Sequence, residues 1–392
     1  MPTDTSVKFL HSAMAGAPLL AGQAGSLTAL LDACLVNGYG VGSVDSITIA
    51  GGVATVTRSA GHPFEAGSVA LVAGAAVSGG VINGEQKVLA SPAPTTTTYC
   101  FDATGIANQT ATGTITHKVA PLGWSKAFTG TNLGAYKPSD VSATGCYLRV
   151  DDTGTTNARV VGYETMSDMN TGVGPFPTSA QVLGGGYWPK SASADSTARD
   201  WVLIGDGKLF YLAVAYTAAA TYSLTAVFGD PLPVKSPDTY CCVLSCAEAS
   251  PLGSGAGNRP FSEYDYGDQV NAFGSVFMPR SYVGLGSAVS MRKTFPLVVG
   301  QIGARSGAVT SGLPFPNGPD GGLYVAEHFL IEHGTLALRA KSPGLCPSLQ
   351  NIGNGVFGNR ESVTGVAGMA GRVLKALNTS GVFFVDTTGP WR

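Results

Sequence analysis

The densest group of titratable side chains is Glu327-His328-x-x-x-Glu332-His333. Carboxylates beside imidazoles could hold a metal ion or exchange protons. A zinc-binding helix places its two His at i and i+4, with Glu beside the first. Here the two His are five apart, in an apolar run of strand character. Alternation along a strand puts Glu327 and His333 on one face, and His328 and Glu332 on the other. That pattern predicts a solvated or inter-subunit strand, not a metal or acid–base site. Cys241-Cys242-x-x-x-Cys246 also suggests a metal. Structural zinc needs four ligands with paired short spacings, and no matching Cys/His pair accompanies these three. On a strand, Cys242, Leu244 and Cys246 share one face, as core packing requires.

Asp151-Asp152 with Asn157, and Asp265-x-x-Asp268-x-x-Asn271, carry oxygen ligands suited to calcium. Neither has the Gly and terminal Glu of an EF-hand loop. In Gly-rich surroundings they read as turn residues. Gly38-Tyr-Gly-Val-Gly42 and Gly253-Ser-Gly-Ala-Gly257 lack the Gly-Lys-Ser/Thr ending of a phosphate loop. No Gly-x-Ser-x-Gly nucleophile elbow occurs. These residues therefore predict a non-enzymatic protein with no cofactor and no metal site. Phe176, Tyr187 and Trp188 lie in a Gly/Pro-rich stretch, 166–189, read as a long loop. Aromatic residues are enriched at subunit interfaces, which makes these three candidate interface residues. Stacking on sugar rings is their other use, shared with the 313–322 loop.

The elements that must position such residues are read from periodicity. Residues 201–216 are two apolar runs around Asp206-Gly207, a strong hairpin signal calling for a type I′ turn. The second arm is apolar on both faces, so it must be covered on both sides. Residues 26–37 are the one clear helix, with Leu27, Leu30, Leu31, Cys34 and Leu35 on one face. Ser26 is its expected N-cap and Gly38 its expected terminator. Leu27, Leu30 and Leu31 make this face a candidate docking surface. Residues 46–117 hold short, evenly spaced strands, including the hairpin 47–58 around Gly51-Gly52, and predict a small sandwich or barrel. Residues 222–228 place Tyr222, Leu224, Ala226 and Phe228 on one strand face, and 295–302 reads as a further strand.

The expected class is mainly β: a small N-terminal β-module, one or two β-sandwich-like domains after it, and one short N-terminal helix. The corresponding segments are 1–45 (arm and helix), 46–118 (module), 119–230 (central β domain) and 231–392 (C-terminal β domain). The last two are either separate or one unit.

Only 12% of residues are charged and 54 of 392 are Gly, against usual values of about 25% and about 7%. So few charges favour a surface partly covered in an assembly. A net charge of −2 argues against a nucleic-acid partner, which would show a basic stripe. The seven Cys form no disulfide framework and read as made in a reducing compartment. No stretch of 18 apolar residues is present, so no membrane-spanning helix is expected. Asp4, His11 and Pro18 argue against a cleaved signal peptide.

One segment resembles a small β-module that recurs in tailed-bacteriophage virion proteins. The resemblance is carried by Val56, Thr57, Ser59, His62, Phe64, Gly67, Val69, Gly74, Ala75, Asn83, Gly84, Val88, Thr96, Thr97, Thr98, Tyr99, Phe101 and Gly105. It implies that His62-x-Phe64-x-x-Gly67 is a structural turn. Residues 147–177 resemble uncharacterised proteins encoded among phage structural genes. Leu338-Arg-Ala-Lys-Ser-Pro-Gly-Leu345 and Val385-Asp-Thr-Thr-Gly-Pro-Trp391 resemble C-terminal signatures of the same group. The resemblance implies a virion structural protein made in the bacterial cytoplasm and placed in the tail or neck region. Its partners would be its own copies, as a homotrimer or larger ring, and other virion proteins. The alternative is a receptor- or glycan-binding module of the same particle, with a host surface glycan as partner.

Overall fold

Six consecutive apolar side chains on a strand point alternately to its two faces, so each face needs its own core. The computed structural model describes residues 3–218, 223–248, 275–294, 313–352, 356–378 and 382–392, and it supplies both cores. Strand Leu209–Val214 sends Phe210, Leu212 and Val214 into one hydrophobic cluster. Leu209, Tyr211 and Ala213 enter a second. The chain itself covers both sides, so this strand needs no neighbouring molecule. The expected residues 253–257, 265–271 and 295–302, together with Tyr222, lie outside the described residues.

Around this strand runs an antiparallel sheet of ten strands among the described residues. Its order is Lys8–His11, Trp201–Gly205, Leu209–Val214, Leu224–Gly229, Val243–Cys246, Ser275–Met278, Val289–Thr294, Phe329–Glu332, Leu338–Lys341 and Leu232–Pro233. The sheet takes strands from both sides of residue 230, so the 119–230 and 231–392 segments share it. It also takes one from the N-terminal arm. Lys8 faces Gly205 and His11 faces Val202 across that edge.

A second sheet covers the first face. Its strands are Trp124–Gly130, Leu133–Pro138, Tyr147–Asp151, Asn157–Met166, Gly172–Phe176 and Gly186–Pro189. The last two fall in the stretch expected to be a long loop. Trp124 and Trp188 both meet Phe210 edge-on, at 5.3 and 6.1 Å between ring centroids. On the other face lies a four-stranded sheet, Leu345–Pro347, Val382–Asp386, Leu374–Asn378 and Ser362–Val363. Phe383 and Val385 face the central sheet, whereas Val382 and Phe384 face a third cluster with Phe357. The result is a mainly β, three-layered stack with one short helix among the described residues.

The N-terminal module is a pair of four-stranded sheets. Its hairpin Ser46–Ala50 and Val53–Thr57 turns through Gly51 and Gly52 at φ 59° and 79°, as a two-residue turn of this type requires. The central hairpin turns differently from its expectation. Gly207 does not take positive φ. Instead Asp206 Oδ1 accepts the backbone N–H of Lys208 and of Leu209, both at 2.8 Å. That Asx turn needs no left-handed residue.

The covering sheet lies tight against the central one at Gly186, where an added Cβ would overlap Cys246 Cβ and Sγ. Gly186→Ala is therefore expected to destabilise the fold by about 1–3 kcal/mol, the usual cost of overpacking a filled core. Urea unfolding measures this, and an unchanged midpoint would contradict the close packing.

Candidate functional site

The helix is Ser26–Leu31, continued by a π-helical turn, Asp32–Asn37, and closed at Gly38 with φ 72°. Its apolar face is not a docking surface. Leu27, Leu30 and Leu31 are at most 1% exposed and belong to the chain's own core. The apolar stripe does need cover, and a sheet of the same chain provides it. Ser26 is not the cap either: its hydroxyl donates back to the Ala21 and Gln23 carbonyls at 2.8 and 3.0 Å.

The helix is capped from a distance. Asp152 Oδ2 accepts the backbone N–H of Leu27 at 2.7 Å and of Thr28 at 3.0 Å. A carboxylate suits the positive end of a helix and two of its unpaired donors. Asp152 Oδ1 pairs with Lys190 Nζ, which also donates to the Gln23 carbonyl at 2.6 Å. Both side chains of the pair are fully buried. Burial pushes the Asp152 carboxyl up and the Lys190 ammonium down, each against the pull of its partner. Asp152 is thus a helix cap rather than the turn residue its Gly-rich surroundings suggest, and nothing in the sequence around Lys190 marks it as its partner.

Phe176 and Trp188 are also core residues, 0% and 1% exposed. Trp188 donates its indole N–H to the Ser245 carbonyl at 2.6 Å. Tyr187 is half-buried, with the Arg159 guanidinium 3.9 Å above its ring. Neither an interface nor a sugar platform is open to Phe176 or Trp188, because both side chains are buried and lie on strands Gly172–Phe176 and Gly186–Pro189 of the covering sheet rather than in a loop.

The Glu327–His333 group is split as alternation requires. Glu327 is exposed and pairs with Lys341 at 2.8 Å. His333 is exposed too. His328 and Glu332 are buried. His328 Nδ1 meets Ser342 Oγ at 2.8 Å. Burial pulls the His328 pKa down to about 3, with nearby Lys293 adding to the shift. An imidazole that resists protonation so strongly is a poor general base at neutral pH. Glu332 accepts from Arg339 Nη1 at 2.7 Å, and Arg339 also grips Asp238.

The cysteines divide as expected: Cys242 and Cys246 enter one core and Cys241 the other. All seven are buried and free, and burial raises the Cys346 thiol to about 12. Among the described residues no group of three or more His, Cys, Asp or Glu is placed to hold a metal ion. No helix among them is long and apolar enough to cross a membrane.

The motif residues of the N-terminal module form an aromatic cluster. His62 stacks on Phe64 at 5.8 Å and meets Tyr99 edge-on at 5.0 Å. Tyr99 Oη pairs with His117 Nδ1 at 3.0 Å. The Nε2 atoms of His62 and His117 are buried without a hydrogen-bond partner. Burial, aided by Arg58 and His62, holds the His117 pKa down to about 4.

The two C-terminal signatures interlock. Pro343 accepts the Tyr211 hydroxyl at 2.9 Å, and Trp391 donates to the Asp386 carbonyl at 2.8 Å. Gly344, at φ 68°, leaves the space that the Trp391 indole fills. A cleft of about 430 Å³ opens beside them, between Glu327, Lys341, Arg372 and Trp391.

One end of the central sheet does expose apolar side chains. Tyr282, Val283, Leu285, Leu336 and Leu338 are between 46% and 70% exposed. The buried Glu332–Arg339 pair ties their loops together. Glu332 Oε1 accepts the Tyr282 N–H, and Arg339 Nη1 donates to the Arg280 carbonyl at 2.8 Å. Tyr282, Val283, Leu285 and Leu336 are single apolar residues in turns and carry no periodic signal in the sequence, whereas Leu338 opens one of the C-terminal signatures. Compared with known proteins, the chain matches no protein-family model and no curated protein.

Proposed function

We propose that the chain is a non-enzymatic structural component of a tailed-phage particle, assembled from several copies in the tail or neck region. The observation that carries this reading is what the motif residues do. Asp152, in the segment that resembles phage-encoded proteins, caps a helix and pairs with a buried lysine. Gly344 and Trp391, in the C-terminal signatures, lock one strand against another. Phe64, Tyr99 and His117 fill a small β-sandwich. Each motif maintains architecture, as a building block requires. The virion location rests on the resemblance alone.

The end formed by Tyr282, Val283, Leu285, Leu336 and Leu338 supports self-association, since apolar groups left in water favour burial against a neighbour. It replaces the helix face and the Phe176–Trp188 aromatics as the contact surface. A double variant, Tyr282→Ser with Leu285→Ser, is expected to fold normally and to lose the association of the parent. Light scattering on both proteins checks this. Equal masses in solution would remove this surface from the proposal.

A further inference from the structure

Asp152 and Lys190 form the most deeply enclosed ion pair described, with both side chains at 0% exposure. Their arrangement is asymmetric in a chemically useful way. Asp152 Oδ2 sits against two backbone N–H groups, from Leu27 and Thr28, at 2.7 and 3.0 Å. Two such donors on one carboxyl oxygen form the arrangement that stabilises the oxyanion of an acyl-transfer intermediate. Asp152 Oδ1 is against Lys190 Nζ, and the Gln23 carbonyl, 2.6 Å from Nζ, holds the amine in place. The reacting groups are thus already brought together, which removes most of the entropic barrier to joining them. Burial also disfavours both charges, so a proton passed from Lys190 to Asp152 leaves the neutral amine and acid that condensation needs.

We propose that Asp152 and Lys190 condense in the folded chain into an intramolecular amide, joining Asp152 Cγ to Lys190 Nζ. The Nζ lone pair attacks Cγ, and the carbonyl electron pair moves onto Oδ2, where the Leu27 and Thr28 N–H groups receive it. A proton from nitrogen passes to the Oδ1 hydroxyl. The Cγ–Oδ1 bond then breaks, the Cγ=Oδ2 bond reforms, and one water leaves. The ion pair is consumed and no oxidant is needed. The product staples strand Tyr147–Asp151 to the chain leaving strand Gly186–Pro189, directly under the helix N-terminus. In a chain whose seven cysteines are all free, such a staple resists reductant.

Full-length protein, purified and then unfolded, is expected to weigh one water less than its sequence. Proteolysis is expected to yield a branched peptide joining Asp152 to Lys190, with no tryptic cleavage after Lys190. Lys190→Arg retains the positive charge but cannot form this amide, and is expected at its full sequence mass. A parent protein at full sequence mass overturns the proposal. So does a free peptide ending at Lys190, or a water loss mapped elsewhere in the chain.

Discussion

Lys190→Ala is expected to destabilise the protein by about 3–5 kcal/mol, the usual cost of a buried charge without its partner, because it leaves the Asp152 carboxylate buried with neither the ion pair nor the amide of the parent. The site explains the size of the effect. Asp152 is closed off from solvent and would keep the Leu27 and Thr28 N–H groups and a long hydrogen bond from the Thr28 hydroxyl, all of them neutral. Its carboxylate would either stay charged in an apolar site or take up a proton and weaken the helix cap. Both outcomes loosen the same junction, where the Gly25 N–H also bonds to the Asp152 carbonyl at 2.9 Å. Urea unfolding at neutral pH gives the difference directly. Lys190→Met, which keeps the stem and removes the charge, should fall in the same range. A loss under about 1 kcal/mol for both would be the surface-pair result and would contradict the account of this junction.

The second large effect is acid lability between pH 6.5 and 4. His117 is buried, and its pKa is held at about 4 in the folded protein, against about 6.5 in an unfolded chain. Below the unfolded value the unfolded state binds more protons than the folded one. Stability therefore falls as the pH drops through this window. Over about 2.5 pH units, His117 contributes a loss on the order of 3 kcal/mol. His328, held at about 3, acts in the same direction. Asp230, whose carboxyl burial raises, acts in the opposite direction, as does Asp152 wherever it is not joined to Lys190. The clean measurement is thus a comparison of unfolding free energies for the parent and His117→Gln across this range. The variant is expected to lose about one proton's worth of slope. Parallel curves for the two proteins would show that His117 is not the buried neutral imidazole described.

Much of the architecture was legible because it is local and periodic. Residues 209–214 announce a doubly covered strand, and Gly51-Gly52 announces a tight hairpin. Residues 26–37 announce a helix with one apolar face. What covers each face was not legible, because the partners come from distant segments. Leu27, Leu30 and Leu31 show that they need burial but not that their own chain provides it. The strand Lys8–His11 has polar residues at both ends and pairs with residues 202–205, far along the chain. Asp152 and Lys190 lie 38 residues apart, and each alone resembles an ordinary surface residue of a Gly-rich turn. The split of Glu327 from His328, and of Cys241 from Cys242, was legible, since it follows from strand alternation alone.

Self-association is the claim on which the functional account turns, and the solution mass of the purified full-length chain tests it most directly. Light scattering over a range of concentrations is expected to give a defined multiple of the 39.8 kDa chain. A single-chain mass at every concentration would contradict the account.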